Sequence, residues 1–264
     1  MNLITRLFDS SLGKKYVMAL SGLALFGFVI GHLLGNLQVF GPPDLINAYA
    51  HFLKSKPLLI WGARLGLLAT VAVHIYVAFK ITAENRAARP VQYAAPKSNG
   101  ATLAARTMIL SGSVILAFIV YHLAHFTVLL PGINGVGDFS KLTTVLNGEK
   151  VPDVYGMMIL GFQVWWVAAF YLIAQALLFM HLGHGLSSLF QSLGFRDHVW
   201  WPRIQCVAKV ASIAIFVGYA IIPAAIYMRV IGADYSEKVK FSIKQAEAPK
   251  SVETAAVLAG EGVK

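Results

Sequence analysis

The chain has 264 residues, of which 57% are hydrophobic and only 13% charged, where a soluble domain carries about 25% charged residues. With a mean hydropathy of +0.66, this excludes soluble enzymes and nucleic-acid binders and predicts an integral membrane protein. The formal charge of +10, from 22 Lys and Arg against 12 Asp and Glu, then belongs to cytoplasmic loops and lipid headgroups.

An apolar run of about 20 residues spans a bilayer as a helix, and five such runs follow one another: Tyr16–Phe40, Leu58–Ile81, Thr107–Leu130, Tyr155–Leu186 and Val207–Ile231. The first is too long for a cleaved signal peptide and has no small-residue cleavage site after it. Gly41-Pro42-Pro43-Asp44 stops the first run, Glu84–Gly100 forms a loop, and Pro131–Pro152 is a longer Gly-rich loop that folds over the bundle. No strand periodicity and no internal repeat stand out. Residues 1–232 are expected to form one transmembrane domain, and 233–264 a polar C-terminal tail. The single Cys206 leaves no disulfide framework, thiolate-held iron–sulfur cluster or Cys-based zinc site.

Basic residues in short loops set the orientation. Arg6, Lys14, Lys15, Lys80, Arg86, Arg89, Lys97, Arg106, Arg196, Arg203 and Lys209 fall on one side. Lys54, Lys56, Arg64, Lys141, Lys150 and Arg229 fall on the other. The bias places the N-terminus in the cytoplasm and the C-terminus outside, although the tail adds five lysines to the external side.

Six of the eight histidines lie inside the apolar runs: His32, His74, His122, His125, His181 and His184. Imidazoles are costly in hydrocarbon and mark function there. At 1.5 Å per residue, His32 lies about 24 Å along the first span, and His122 rises to a similar level on the third. His74 and His181, on spans running the other way, share a level nearer the cytoplasm. Two levels with two histidines each, supplied by alternate helices, match two bis-histidine haems stacked in a four-helix bundle. The predicted fold class is therefore an all-α membrane protein of five helices, the first four surrounding two stacked haems. Gly22, Gly27, Gly31, Gly35, Gly183 and Gly185 offer room for a ring or close helix packing. Within His122/His125 and His181/His184, members three apart share a face, so either could be the ligand and the other a haem neighbour. No carboxylates accompany these pairs, which disfavours zinc.

Gly13-Lys14-Lys15, followed by His32-Leu33-Leu34-Gly35-Asn36-Leu37-Gln38 and Asn47-Ala48-Tyr49-Ala50-His51-Phe52-Leu53, resembles the cytochrome b membrane anchor of succinate dehydrogenase, in its single-chain, dihaem, five-helix form. His74 before Ile75-Tyr76, His122-Leu123, and His181 with Gly185-Leu186 extend the resemblance over residues 10–230. It implies axial ligands at His32 and His122 (outer haem) and His74 and His181 (inner haem), two haems b, and a flavoprotein and an iron–sulfur protein as cytoplasmic partners. It further implies passage of electrons from succinate to a quinone, menaquinone being the expected one, in a bacterial cytoplasmic membrane. The same architecture serves fumarate reduction. Quinone chemistry needs donors that relay protons, and Tyr49 and His51 in the outer loop are candidates. Arg64, Lys80 and Arg106 are candidates to neutralise haem propionates. Two rivals stay open: the anchor of another quinone-linked oxidoreductase, such as a hydrogenase, and a haem-free proton-coupled transporter.

Overall fold

In the computed structural model, residues 8–88, 106–237 and 239 are described; Arg6, Arg89, Lys97 and nearly all of the tail lie outside them. The first helix, α1 (Ser11–Asn36), begins where the Ser10 hydroxyl accepts the Gly13 N–H at 3.0 Å. That bond satisfies one of the donors a helix start leaves free. A tight turn over Leu37–Phe40 closes α1. The amphipathic α2 (Pro43–Lys54) follows, with proline in its first turn, where no N–H is missed. The long α3 (Pro57–Ala87) returns. The next helix, α4 (Met108–Leu123), widens into a π turn at Ala124–Val128, closed by Leu129 at φ 59°.

Between α4 and the next span the chain builds a lid. Strands β1 (Thr143–Leu146) and β2 (Glu149–Pro152) pair antiparallel, Thr143 opposite Pro152 and Leu146 opposite Glu149. This corrects the all-α expectation. Asn147 and Gly148, at φ 51° and 82°, supply the two positive-φ residues a two-residue hairpin turn requires.

A second correction concerns the fourth apolar run, which is two helices. The short α5 (Val154–Phe162) is capped by the Asp153 carboxylate on the Gly156 N–H, and eight of its residues, Tyr155 to Phe162, are buried. Val164 is extended, and α6 (Trp165–Ser192) starts after it. The hydropathy of α5 thus comes from a protein core, not from lipid, which periodicity alone cannot distinguish. The last helix, α7 (Trp200–Tyr227), starts about two turns earlier than the expected Val207.

Among the described residues, five helices are long and apolar enough to cross a membrane: Ser11–Phe40, Pro57–Ala87, Met108–Val128, Trp165–Ser192 and Trp200–Tyr227. Their outward side chains, such as Leu65, Leu110, Ile173 and Val217, are exposed, as a bilayer requires and water does not permit. Helix α1 packs on α3 and α6, α4 packs on α6, and α7 covers α6 and part of α1. Helices α1 and α4 therefore stand on one diagonal of a four-helix arrangement, α3 and α6 on the other. The densest core lies at the lid end, where Val39, Ile46, Ile159, Val167, Tyr171 and Ile226 bury each other. In the middle of the bundle packing is thinner: Val77 is the one buried residue of α3.

The start of the tail joins the lid. The Tyr235 hydroxyl donates to Asp153 at 3.0 Å, its ring packs edge-on against Tyr155, and Ser236 is buried.

Candidate functional site

Across each diagonal a pair of imidazoles meets. The rings of His32 and His122 stand 5.6 Å apart between centroids, and those of His74 and His181 6.4 Å apart. A metal–imidazole bond is about 2 Å, so two rings gripping one metal from opposite sides hold their centroids roughly 6 Å apart. Both pairs have that spacing, and each joins helices on opposite corners of the bundle. Among the described residues no three His, Cys, Asp or Glu side chains cluster as a metal site. Each level therefore offers two protein donors, the number a haem iron needs beyond its macrocycle.

The inner pair is braced twice in the same way. Ser21 on α1 lies 3.0 Å from Nδ1 of His74, and Ser111 on α4 lies 3.2 Å from Nδ1 of His181. A glycine follows each serine, and a Cβ there would stand 3.5 Å from the His74 ring at Gly22 and 3.4 Å from the His181 ring at Gly112. That is ordinary van der Waals contact, so each imidazole lies against the neighbouring helix at a position where an alanine would also fit. Eleven residues beyond each serine stands an outer histidine, about 16 Å along the helix. Four residues before each outer histidine a phenylalanine stacks on it: Phe28 on His32 and Phe118 on His122.

A repeat that sequence inspection missed now becomes plain. Met18-x-Leu20-Ser21-Gly22-x5-Phe28-x3-His32-Leu33 recurs ninety positions later as Met108-x-Leu110-Ser111-Gly112-x5-Phe118-x3-His122-Leu123. Positions 21, 25, 28 and 32 share one helix face, so each copy presents a hydroxyl at the inner level and an imidazole at the outer level. Surrounding apolar variation hides this pattern, because one aliphatic residue serves as well as another against lipid.

The two ambiguous histidines occupy different surroundings. His125 is fully buried and stacks on Phe126 with centroids 3.9 Å apart. Its Nδ1 lies 3.2 Å from the Tyr171 hydroxyl, which is also 3.1 Å from Nδ1 of His122. Its Nε2 has no hydrogen-bond partner and abuts Gly161, where a Cβ would be 3.0 Å away. His184 makes no ring contact with His74; His181 does. Geometry therefore sets His122 and His181 in the facing pairs, with His125 beside the outer pair.

The cationic candidates separate similarly. Lys80 donates to the Phe8 carbonyl at 2.8 Å and pairs with Asp9 at 3.5 Å, tying down the N-terminal segment. Arg106 is exposed at the foot of α4. Arg64 stacks over Trp61 at 5.1 Å near the outer end of α3. Desolvation and this same Arg64 hold the Lys54 ammonium below its ordinary range, so the outer end of α3 has two neighbouring cations and suits an anionic group.

Tyr49 and His51 do not converge. Tyr49 lies against Gly35, one turn beyond His32, and a Cβ on that glycine would stand 2.9 Å from its ring. His51 lies 3.7 Å from Glu149 on the hairpin. Tyr49 is thus the outer-level candidate, and His51 belongs to the contact between α2 and the lid. In comparisons with known proteins, no family model, curated protein or solved structure matches the chain.

Proposed function

We propose that this chain is the membrane anchor and electron-transfer subunit of a succinate:quinone oxidoreductase, holding two b haems and passing electrons from an iron–sulfur partner to a quinone, menaquinone by expectation. Succinate oxidation lies on a partner flavoprotein. The observation that carries this proposal is the pair of diagonal imidazole contacts, His32 with His122 and His74 with His181, at metal-bridging separation. When bound, a haem with two axial imidazoles supplies one-electron transfer without a free position for oxygen or substrate.

The chain's own residues then have defined tasks. His32 and His122 hold the outer group, His74 and His181 the inner one. Arg64 neutralises an outer propionate. Lys80 and Arg106 serve the inner side, Lys80 while bracing the N-terminal segment. Tyr49 is placed to donate to a quinone carbonyl near the outer level. The positive-inside bias supports a bacterial cytoplasmic membrane with the N-terminus inside and the C-terminus outside. A haem-free transporter would need a polar path between the levels, whereas Leu25 and Ile115 stand between hydroxyl and imidazole on the two repeated faces.

The test is purification of the tagged chain from native membranes in mild detergent, with mass spectrometry of its partners and an assay of succinate-dependent quinone reduction. A flavoprotein and an iron–sulfur protein should co-purify with the activity. Co-purification with hydrogenase subunits, or recovery of a chain with no visible haem absorbance, would overturn the proposal.

A further inference from the structure

We infer that Ser21, Ser111 and Tyr171 are positioning residues that set the tautomers of His74, His181 and His122, leaving Nε2 of each ring bare to bind a metal, and that His125 completes the device by accepting a hydrogen bond from the Tyr171 hydroxyl.

A serine hydroxyl has one hydrogen to donate. Ser21 gives its hydrogen to the Met18 carbonyl at 3.1 Å, and Ser111 gives its own to the Met108 carbonyl, also at 3.1 Å. With its hydrogen on that carbonyl, which can only accept, each hydroxyl has no second hydrogen to give. Toward the imidazoles, at 3.0 and 3.2 Å, each oxygen can then only accept. In that arrangement the hydrogen between them sits on Nδ1 of His74 and of His181. A neutral imidazole with Nδ1–H has its lone pair on Nε2, the state a metal ligand needs. The device occurs twice, at equivalent places in the repeated segments.

The outer level uses one phenol for the same purpose. Tyr171 lies between Nδ1 of His122 at 3.1 Å and Nδ1 of His125 at 3.2 Å, and has one hydrogen to share between two ring nitrogens. It donates to one ring and accepts from the other. If His122 binds metal through Nε2, its Nδ1 bears the hydrogen and donates to Tyr171. The phenol then donates to His125, whose remaining hydrogen sits on the buried, unpartnered Nε2 beside Gly161. His125 thus acts through Tyr171 and not as a ligand. His32 differs: no ring hydrogen bond fixes it among the described residues, and its orientation comes from stacking on Phe28 at 5.2 Å.

The Tyr171 half depends on the proposed function, whereas the serine half does not, and the experiment separates them. Ring nitrogens of ¹⁵N-histidine-labelled protein are assigned by NMR in haem-free chain, and haem retention and midpoint potential are measured on the chain as purified. The comparison covers wild type, S21A, S111A, Y171F, and the hydroxyl-keeping S21T and S111T. His74 and His181 should show protonated Nδ1 in wild type, with mixed tautomers in S21A and S111A. Retention of the inner haem should fall about 10- to 100-fold in those two variants, with its potential raised because the ligand loses imidazolate character. Y171F should act likewise on the outer haem alone, and S21T and S111T should restore wild-type values. A chain that binds no haem yet shows the serine-dependent tautomers would sustain the serine device and overturn the proposed function. Unchanged tautomers in S21A and S111A would overturn the inference, and so would equal shifts at both haems.

Discussion

Lys14 is 3% exposed, and its ammonium is paired with Glu84 and donates to the Asp9 carbonyl at the inner end of α1. Glu84 keeps 44% of its side chain accessible, so the pair is lopsided. E84Q strands a buried ammonium and should cost about 3–5 kcal/mol. K14M merely returns a half-exposed carboxylate to water and should cost about 1 kcal/mol. Thermal unfolding in detergent should rank E84Q well below K14M; the reverse order would show that the lysine is not held where described. At this scale the sequence was partly legible. Rise per residue placed His32 with His122 and His74 with His181 without any packing information. The bracing hydroxyls were not legible, because a serine in a membrane helix ordinarily bonds back to its own helix, as Ser21 and Ser111 do, and nothing local shows that its oxygen also faces a histidine.

Among the elements, the lid shows how a membrane protein builds a water-facing end. Asp153 organises it: its carboxylate accepts from Asn47 of α2 at 3.1 Å, from the Gly156 N–H at 2.9 Å and from Tyr235 at 3.0 Å, while Asn47 accepts the Tyr155 N–H. D153A leaves three donors without their acceptor and should cost about 2–4 kcal/mol, with faster amide exchange in α5 and the hairpin. Tyr235 adds a pH dependence. Burial, with the nearby Asp153 charge, raises its phenol above the ordinary value. Its contribution is therefore complete below the unfolded value of about 10 and is lost as pH rises beyond it. Wild type should lose stability relative to Y235F above that pH, and parallel curves would contradict the assignment. Asn147-Gly148 is a hairpin-turn signal, but it lies in a Gly-rich loop between apolar runs, and no strand was expected there. The separation of α5 from α6 was not legible, since buried protein and lipid select the same side chains.

For the molecule as a whole, five spans and their order follow from hydropathy, because hydrocarbon imposes length and composition on every helix that crosses it. What hydropathy does not dictate is which helices touch. The repeat related by ninety positions resolves this: α1 with α3 and α4 with α6 form two similar hairpins, each offering one imidazole to each level. Their pairing across the diagonals makes two equivalent grips, and lipid covers the exterior. The most direct measurement is the haem content and oxidised-minus-reduced spectrum of the purified chain and its single histidine variants. Two low-spin b haems per chain are expected. H74L and H181L should each remove the inner one, H32L and H122L the outer one, while H125L and H184L should keep two. A chain without haem, or haem lost on replacing His125 or His184 but kept on replacing His122 or His181, would contradict the account.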